Sequence, residues 1–209
     1  MGKGKYGMNR LGLSHEELKE VYENGIISSN SVLMTHMACA DNPDDPMNEM
    51  QINKFEKAFD IVERKTKRSI CNSACLMNFP HLSFDWVRSG IAAYGGESKN
   101  LNLKTAMTFR APIISIRKIR KGERVGYGGR KIASKDMRIA IVYAGYADGI
   151  PQTTIDGTKV LVNDKQAVIF GRVSMDLVSI DITNLPQVSE NDLVSFWCEE
   201  LPINEFSNN

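Results

Sequence analysis

The chain has 209 residues, 42% apolar and 24% charged, with a formal net charge of +1. That is the make-up of a globular protein of one large or two small domains. It excludes a basic nucleic-acid footprint and a polybasic membrane patch, and no apolar run approaches the ~20 residues of a membrane span.

The first ten residues are rich in Gly, Lys and Asn and have no apolar core, so they do not read as a signal peptide. Cys39, Cys71, Cys75 and Cys198 are scattered and complete no zinc set. They read as reduced structural thiols of a cytoplasmic protein.

In chain order, Ser14 followed by Glu17 is a capping-box pattern, and Leu18, Val21 and Tyr22 give the helix behind it one apolar face. Residues 31–37 read as a short strand with His36 at its end. Residues 39–45 form a loop of turn formers. Asp45 and Pro46 are placed as N-cap and first helical residue, and Ile52, Phe55, Phe59 and Val62 recur at helical spacing. That helix is predicted to run to about Arg64, with 65–68 as a basic end that suits the helix dipole. Residues 69–71 are a strand candidate, and Asn72-Ser73-Ala74 can open another helix. Strand and helix signals alternate every 20–30 residues or so, the rhythm of βα units and a parallel sheet.

Near residue 100 the texture changes. Residues 97–104 are a polar connection, and no convincing helix follows. Residues 109–119 alternate apolar and polar, 121–123 and 126–129 are turns, and 159–162 with 167–170 read as a hairpin around Asn163-Asp164. Residues 177–182 and 193–197 are further strands. The fold class is therefore α/β followed by all-β, with domains 1–103 and 104–209.

One segment of the second half stands out. Residues 138–143 read as a strand broken by Gly145-Tyr146-Ala147-Asp148-Gly149, a turn that presents a phenol at a strand end. A phenol titrates near ~10 and is a poor base until cations stabilise its phenolate. On composition alone the same segment is a hairpin tip whose Tyr packs. By the same standard His36 is a structural histidine, Arg88 an ion-pair partner, Asn72-Ser73 a helix start and Arg10 a solvated arginine.

The ordered motifs change that weighting. Gly7-Met8-Asn9-Arg10-Leu11-Gly12, Thr35-His36 with Ala40-Asp41, Asn72-Ser73-Ala74, Val87-Arg88-Ser89-Gly90-Ile91 with Tyr94-Gly95, Gly126-Tyr127-Gly128, the 145–149 turn and Gly171-Arg172-Val173-Ser174-Met175-Asp176 together resemble alanine racemase nearly end to end. The family pairs an N-terminal (β/α)8 barrel, which carries pyridoxal phosphate, with a C-terminal β domain. The resemblance implies the second half of that barrel, 1–103, and a truncated β domain, 104–209. The first four barrel strands, the lysine that binds the cofactor covalently and a C-terminal tyrosine that helps hold the phosphate would all be absent.

The resemblance also implies roles. Racemisation removes a Cα proton and returns one on the other face. Tyr146 would be one base, acting across a homodimer interface on the partner's cofactor, and the absent lysine the other. Arg88 would sit against the pyridine nitrogen and His36 beside the ring. Ser73 and the amides of Gly90 and Ile91 would take the phosphate, at the usual barrel position for such a group. Arg10 and the amide of Met175 would receive the substrate carboxylate. Asp41 and Arg172 would line the access path, Asp176 would support the Met175 turn, Asn72 would support the Ser73 loop, and Lys3 would orient Arg10. Ser89, Ser69 and Ser174 depart from the proline, histidine and cysteine common at those places in the family. The implied activity is interconversion of L- and D-alanine for cell-wall synthesis. The alternatives are a racemase of another small amino acid such as serine, or a non-catalytic remnant or dimerisation module.

Overall fold

A computed structural model describes the backbone of residues 2–3, 7–96 and 103–207. The chain divides into two compact units, Met1–Ala93 with Glu97–Leu101, and Tyr94–Gly96 with Asn102–Asn209. Most of the polar connection expected at 97–104 lies outside the described residues.

In the first unit, β1 (Gly2–Lys3) is followed by α1 (His15–Glu23), β2 (Val32–Met34), α2 (Pro46–Ile61), β3 (Lys67–Ser69) and α3 (Ser73–Asn78). The three strands form a parallel sheet in the order β1-β2-β3. Local chemistry sets the helix starts. The Ser14 hydroxyl accepts from Glu17 N at 3.2 Å while the Glu17 carboxylate accepts from Ser14 N at 2.6 Å, a closed capping box. Asp45 accepts from Met47 N at 2.8 Å, with Pro46 as the first helical residue. Asn72 accepts from Cys75 N at 2.9 Å. Leu18, Leu33, Phe55, Phe59, Val62 and Ile70 pack between the helices and the sheet.

Three sequence readings are corrected here. The α2 helix stops at Ile61 rather than near Arg64, because Glu63 and Arg64 turn to φ 52° and 53° and reverse the chain. Residues 65–68 are therefore not its basic end. The strand candidate moves from 69–71 to Lys67–Ser69, where pairing of Val32 with Lys67 sets the register and Arg68 stacks between Phe59 and Phe84 at 4.4 and 3.7 Å. The strand predicted at 31–37 pairs only over Val32–Met34 before the chain leaves the sheet towards His36.

The second unit is a closed antiparallel barrel. Its strands are β4 (Phe109–Ile119), β7 (Met137–Val142), β8 (Lys159–Val162), β9 (Lys165–Ile169), β10 (Val178–Asp181) and β11 (Leu193–Trp197), in the order β10-β7-β4-β11-β8-β9. A separate two-stranded ribbon pairs β5 (Arg124–Val125) with β6 (Lys131–Ile132). The β8–β9 hairpin pairs Val162 with Lys165, so Asn163 and Asp164 alone make the turn, at φ 49° and 60°. That is the backbone a two-residue hairpin demands, and Asn and Asp are among the residues that tolerate it. Inward-facing Ile113, Val142, Val160, Ile169, Ile180 and Val194 fill the barrel. A short helix, α4 (Ile203–Ser207), packs Phe206 onto Phe196 and Trp197, where no helix was predicted.

Candidate active site

The residues implied by the resemblance fall in two groups, one in each unit. In the first unit they gather at the C-terminal ends of β2 and β3. The chain after β2 turns His36 towards both Asn72, 3.4 Å away, and Arg88, whose Nη2 lies 3.4 Å from the imidazole Nδ1. Arg88 comes from the extended segment before Gly90, pinned by its own amide to Cys71 O at 2.9 Å. Its Nη2 donates to Thr35 O at 2.6 Å and its Nη1 to the Ser69 hydroxyl. Burial lowers the pKa of Arg88, with the Cys71 and Cys75 thiols opposing the shift. Among the described residues no carboxylate pairs with it.

Ser73, buried at the start of α3, accepts from the amides of Gly90 at 2.9 Å and Ala92 at 3.2 Å. Ile91 opens the 3-10 turn that follows. A side chain added at Gly90 would meet no atom within 4 Å, so the space beside this shelf of amides is open. Arg10 lies exposed in the bend after β1, and Asp41 exposed in the turn after His36. The Lys3 backbone belongs to β1, and its side chain lies outside the described residues.

Sequence reading missed Gln51. It is fully buried on α2, accepts from Ala38 N at 2.8 Å and donates to His36 O at 3.0 Å, which fixes the loop that carries the histidine. A glutamine on the apolar side of a helix was the available signal, since a buried amide is kept only where it is hydrogen-bonded. Gly7 lies so close that a Cβ there would sit 2.5 Å from the Gln51 side chain.

In the second unit a cleft of about 340 Å³ is lined by Tyr127, Tyr146, Gln152, Arg172, Val173, Ser174 and Met175. Tyr146 begins the 3-10 turn Tyr146–Asp148 and is tied to the opposite wall, its amide donating to Ser174 O at 3.0 Å and Ala147 N to Met175 O at 2.9 Å. Gly145 is required at this crossing, because a Cβ would lie 2.2 Å from Met175 O. Asp148 closes the turn by accepting from Gly145 N at 2.9 Å. Met175 is exposed at 55%, beside the exposed Arg172 and Asp176. Tyr127 also was not singled out for a role. It stands on the Gly126–Gly129 turn with 72% of its surface exposed, against 43% for Tyr146. Gly126, Gly128 and Gly129 all take positive φ there, a backbone that a side chain disfavours.

A parallel α/β unit whose strand ends hold an amide shelf and a guanidinium, followed by a closed antiparallel barrel with a tyrosine-lined cleft, defines a two-domain α/β and β-barrel protein. Residues 3–98 match the N-terminal domain of alanine racemase and residues 106–209 its C-terminal domain. The chain belongs to the alanine racemase family. Alanine racemase of Alteromonas mediterranea is 38% identical over 206 residues, covering 95% of this chain and 57% of that relative. Biosynthetic alanine racemase of Pseudomonas aeruginosa superposes with a TM-score of 0.85 at 36% identity, covering 99% of this chain and 60% of that one. Alanine racemase of Bartonella henselae, solved with covalently bound pyridoxal phosphate, gives a TM-score of 0.78 at 27% identity over 100% of this chain and 60% of that one. The chain thus spans less than two thirds of the length of these relatives.

Proposed function

We propose that this chain supplies part of the active site of a pyridoxal-phosphate-dependent alanine racemase, which interconverts L- and D-alanine as a cytoplasmic homodimer with active sites shared between subunits. The observation that carries the reading is the pairing of an uncompensated guanidinium at Arg88 with the open Ser73 and Gly90 shelf. The two fit the two ends of pyridoxal phosphate. Ser73 with the amides of Gly90 and Ile91 would hold the phosphate, Asn72 would support that loop, and Arg88 would face the ring nitrogen with His36 beside the ring.

When bound, the cofactor delocalises the electrons left on Cα after proton removal. The protein's task is to hold the ring, orient the substrate and move the proton. Arginine donates a hydrogen bond while keeping its own proton, so Arg88 would hold the ring nitrogen unprotonated. Arg10 and the Met175 amide would receive the substrate carboxylate, with Lys3 orienting Arg10. Asp41 and Arg172 would flank the access path, and Asp176 would support the Met175 turn.

Resemblance gave the base to Tyr146. The cleft carries a second phenol, Tyr127, which is the more exposed of the two, but exposure does not make a phenol a base. A base needs a fixed position, and the Tyr146 turn is clamped to the wall of Ser174 and Met175 by two amide hydrogen bonds and by the close crossing at Gly145. We therefore keep the base at Tyr146 and place Tyr127 on the wall of the cleft.

The test compares Tyr127→Phe with Tyr146→Phe in a protein that joins this chain to the N-terminal barrel half its relatives carry. Tyr146→Phe should lower kcat by about 10²–10⁴-fold, the usual contribution of a general acid–base group. Tyr127→Phe should act mainly on KM. The opposite pattern moves the base to Tyr127, and near-normal racemisation in both removes the cleft from the chemistry.

A further inference from the structure

The guanidinium of Arg88 is held by one side-chain hydroxyl whose orientation is already decided. Ser69, on β3 and 1% exposed, donates its proton to Trp86 O at 2.8 Å. A hydroxyl has one proton to give, so towards Arg88 Nη1 it can only accept, through one of its two lone pairs. Trp86 and Arg88 belong to the same extended segment, so one serine ties that segment to β3 at two points. The other acceptors on Arg88 are backbone carbonyls, Thr35 O at 2.6 Å and Ile70 O at 3.4 Å, and the neutral form of His36. Neutral acceptors fix a guanidinium without cancelling its charge, whereas a carboxylate would fix it and neutralise it.

We propose that Ser69 is the positioning residue for Arg88, setting the plane of the guanidinium and leaving its charge undiminished for an electron-rich ring nitrogen. The ligand part of this inference rests on the reading of Arg88 given above; the positioning part stands without it. Ser69 touches no ligand itself and acts through Arg88. The carbonyls alone cannot do this. They hold Nη2, so without Ser69 the guanidinium can pivot about that corner, and Trp86 O loses its donor at the same time.

The experiment uses the 209-residue chain with arginine labelled by ¹⁵N, in which the guanidinium signals of Arg88 are assigned by their loss in Arg88→Lys. In the native chain the Arg88 Nη protons should be resolved, because bonds at both nitrogens slow rotation. In Ser69→Ala they should broaden or merge, and in Ser69→Thr, which keeps the hydroxyl, they should stay resolved. Circular dichroism checks the fold of each variant, and Ser69→Cys, nearly the same size but a weak acceptor, serves if the alanine variant does not fold. Resolved Arg88 signals in the alanine or cysteine variant would overturn the proposal, as would merged signals in a folded threonine variant.

Pyridoxal 5′-phosphate is then titrated into the native and Ser69→Ala chains. It should shift the Arg88 signals of the native chain and bind the variant about tenfold more weakly. Equal affinity for both would overturn the ligand part of the proposal. No shift in the native chain would instead remove the ring-nitrogen reading of Arg88 and with it the ligand part, while the positioning of Arg88 by Ser69 is decided by the first measurement.

Discussion

Cys75 shows how the surroundings of one side chain set a measurable pH dependence. Burial pushes its thiol far above the ordinary value, the neighbouring Cys71 sulfur at 2.9 Å pushes the same way, and only the Arg88 charge opposes. Cys71 is raised too, again chiefly by burial. A raised pKa means the native state keeps its proton after the unfolded chain, whose thiols ionise near ~8.5, has released it. The contribution to stability is therefore whole below that pH and is lost as pH rises towards the folded value. The expected slope is about 1.4 kcal/mol per pH unit for each proton so retained. Urea midpoints at pH 7, 9 and 10 should fall more steeply for the native chain than for Cys75→Ala; parallel lines would show that the thiol is not responsible. At pH 8, iodoacetamide should reach the half-exposed Cys39 well before Cys71 or Cys75, both fully buried. Mass mapping of the alkylated peptides gives the order.

Elements whose signals are local were legible before the structure. The Ser14 capping box, the Asp45-Pro46 start and the Asn163-Asp164 hairpin each state their geometry in two to four residues. Removing one should cost a predictable amount: Ser14→Ala about 1 kcal/mol, measured as a change in urea midpoint at constant slope. Elements decided by distant partners were not legible. The end of α2 depends on two non-glycine residues, Glu63 and Arg64, entering the left-handed region, which nothing in their identity announces. The β3 strand is placed by pairing with β2, more than thirty residues earlier in the chain. The candidate site was legible only through family resemblance, because His36 and Arg88 are 52 positions apart and no spacing rule joins them. Gln51 and Ser69 act on neighbours in the fold, so pattern reading gave them no role. The cleft turn is a further case. Two glycines flanking Tyr146 and Asp148 suggested a turn, but only the fold shows that Gly145 is needed because the Met175 backbone crosses it. Gly145→Ala must push those walls apart, at a cost of about 1–3 kcal/mol, as for other overpacked sites. An unchanged melting temperature with an unchanged cleft would contradict that contact.

At the scale of the whole molecule the two units solve the sheet-edge problem differently. Each barrel strand pairs on both sides, so the sheet closes on itself and leaves no edge. The described residues of the first unit form three parallel strands of two or three residues, with β1 and β3 as outer strands, and parallel sheets depend on cover over both faces. Its stability should therefore be the lower of the two, and the chain should unfold in two steps rather than one. The sequence supplies the probes, because one tryptophan lies in each unit: Trp86 with Lys67 over its ring in the first, and Trp197 buried against Phe109 and Phe206 in the second. With Trp197→Phe the fluorescence should report an early transition in urea, and with Trp86→Phe a later one. Hydrogen exchange gives an independent reading at Leu33, central in the parallel sheet, and at Ala140, which pairs with β4 on one side and β10 on the other. The Leu33 amide should exchange at least about tenfold faster, corresponding to about 1.4 kcal/mol less opening free energy. Coincident transitions from the two tryptophan variants, together with equal protection at the two amides, would show that the units unfold as one and that the open edges of the parallel sheet carry no cost.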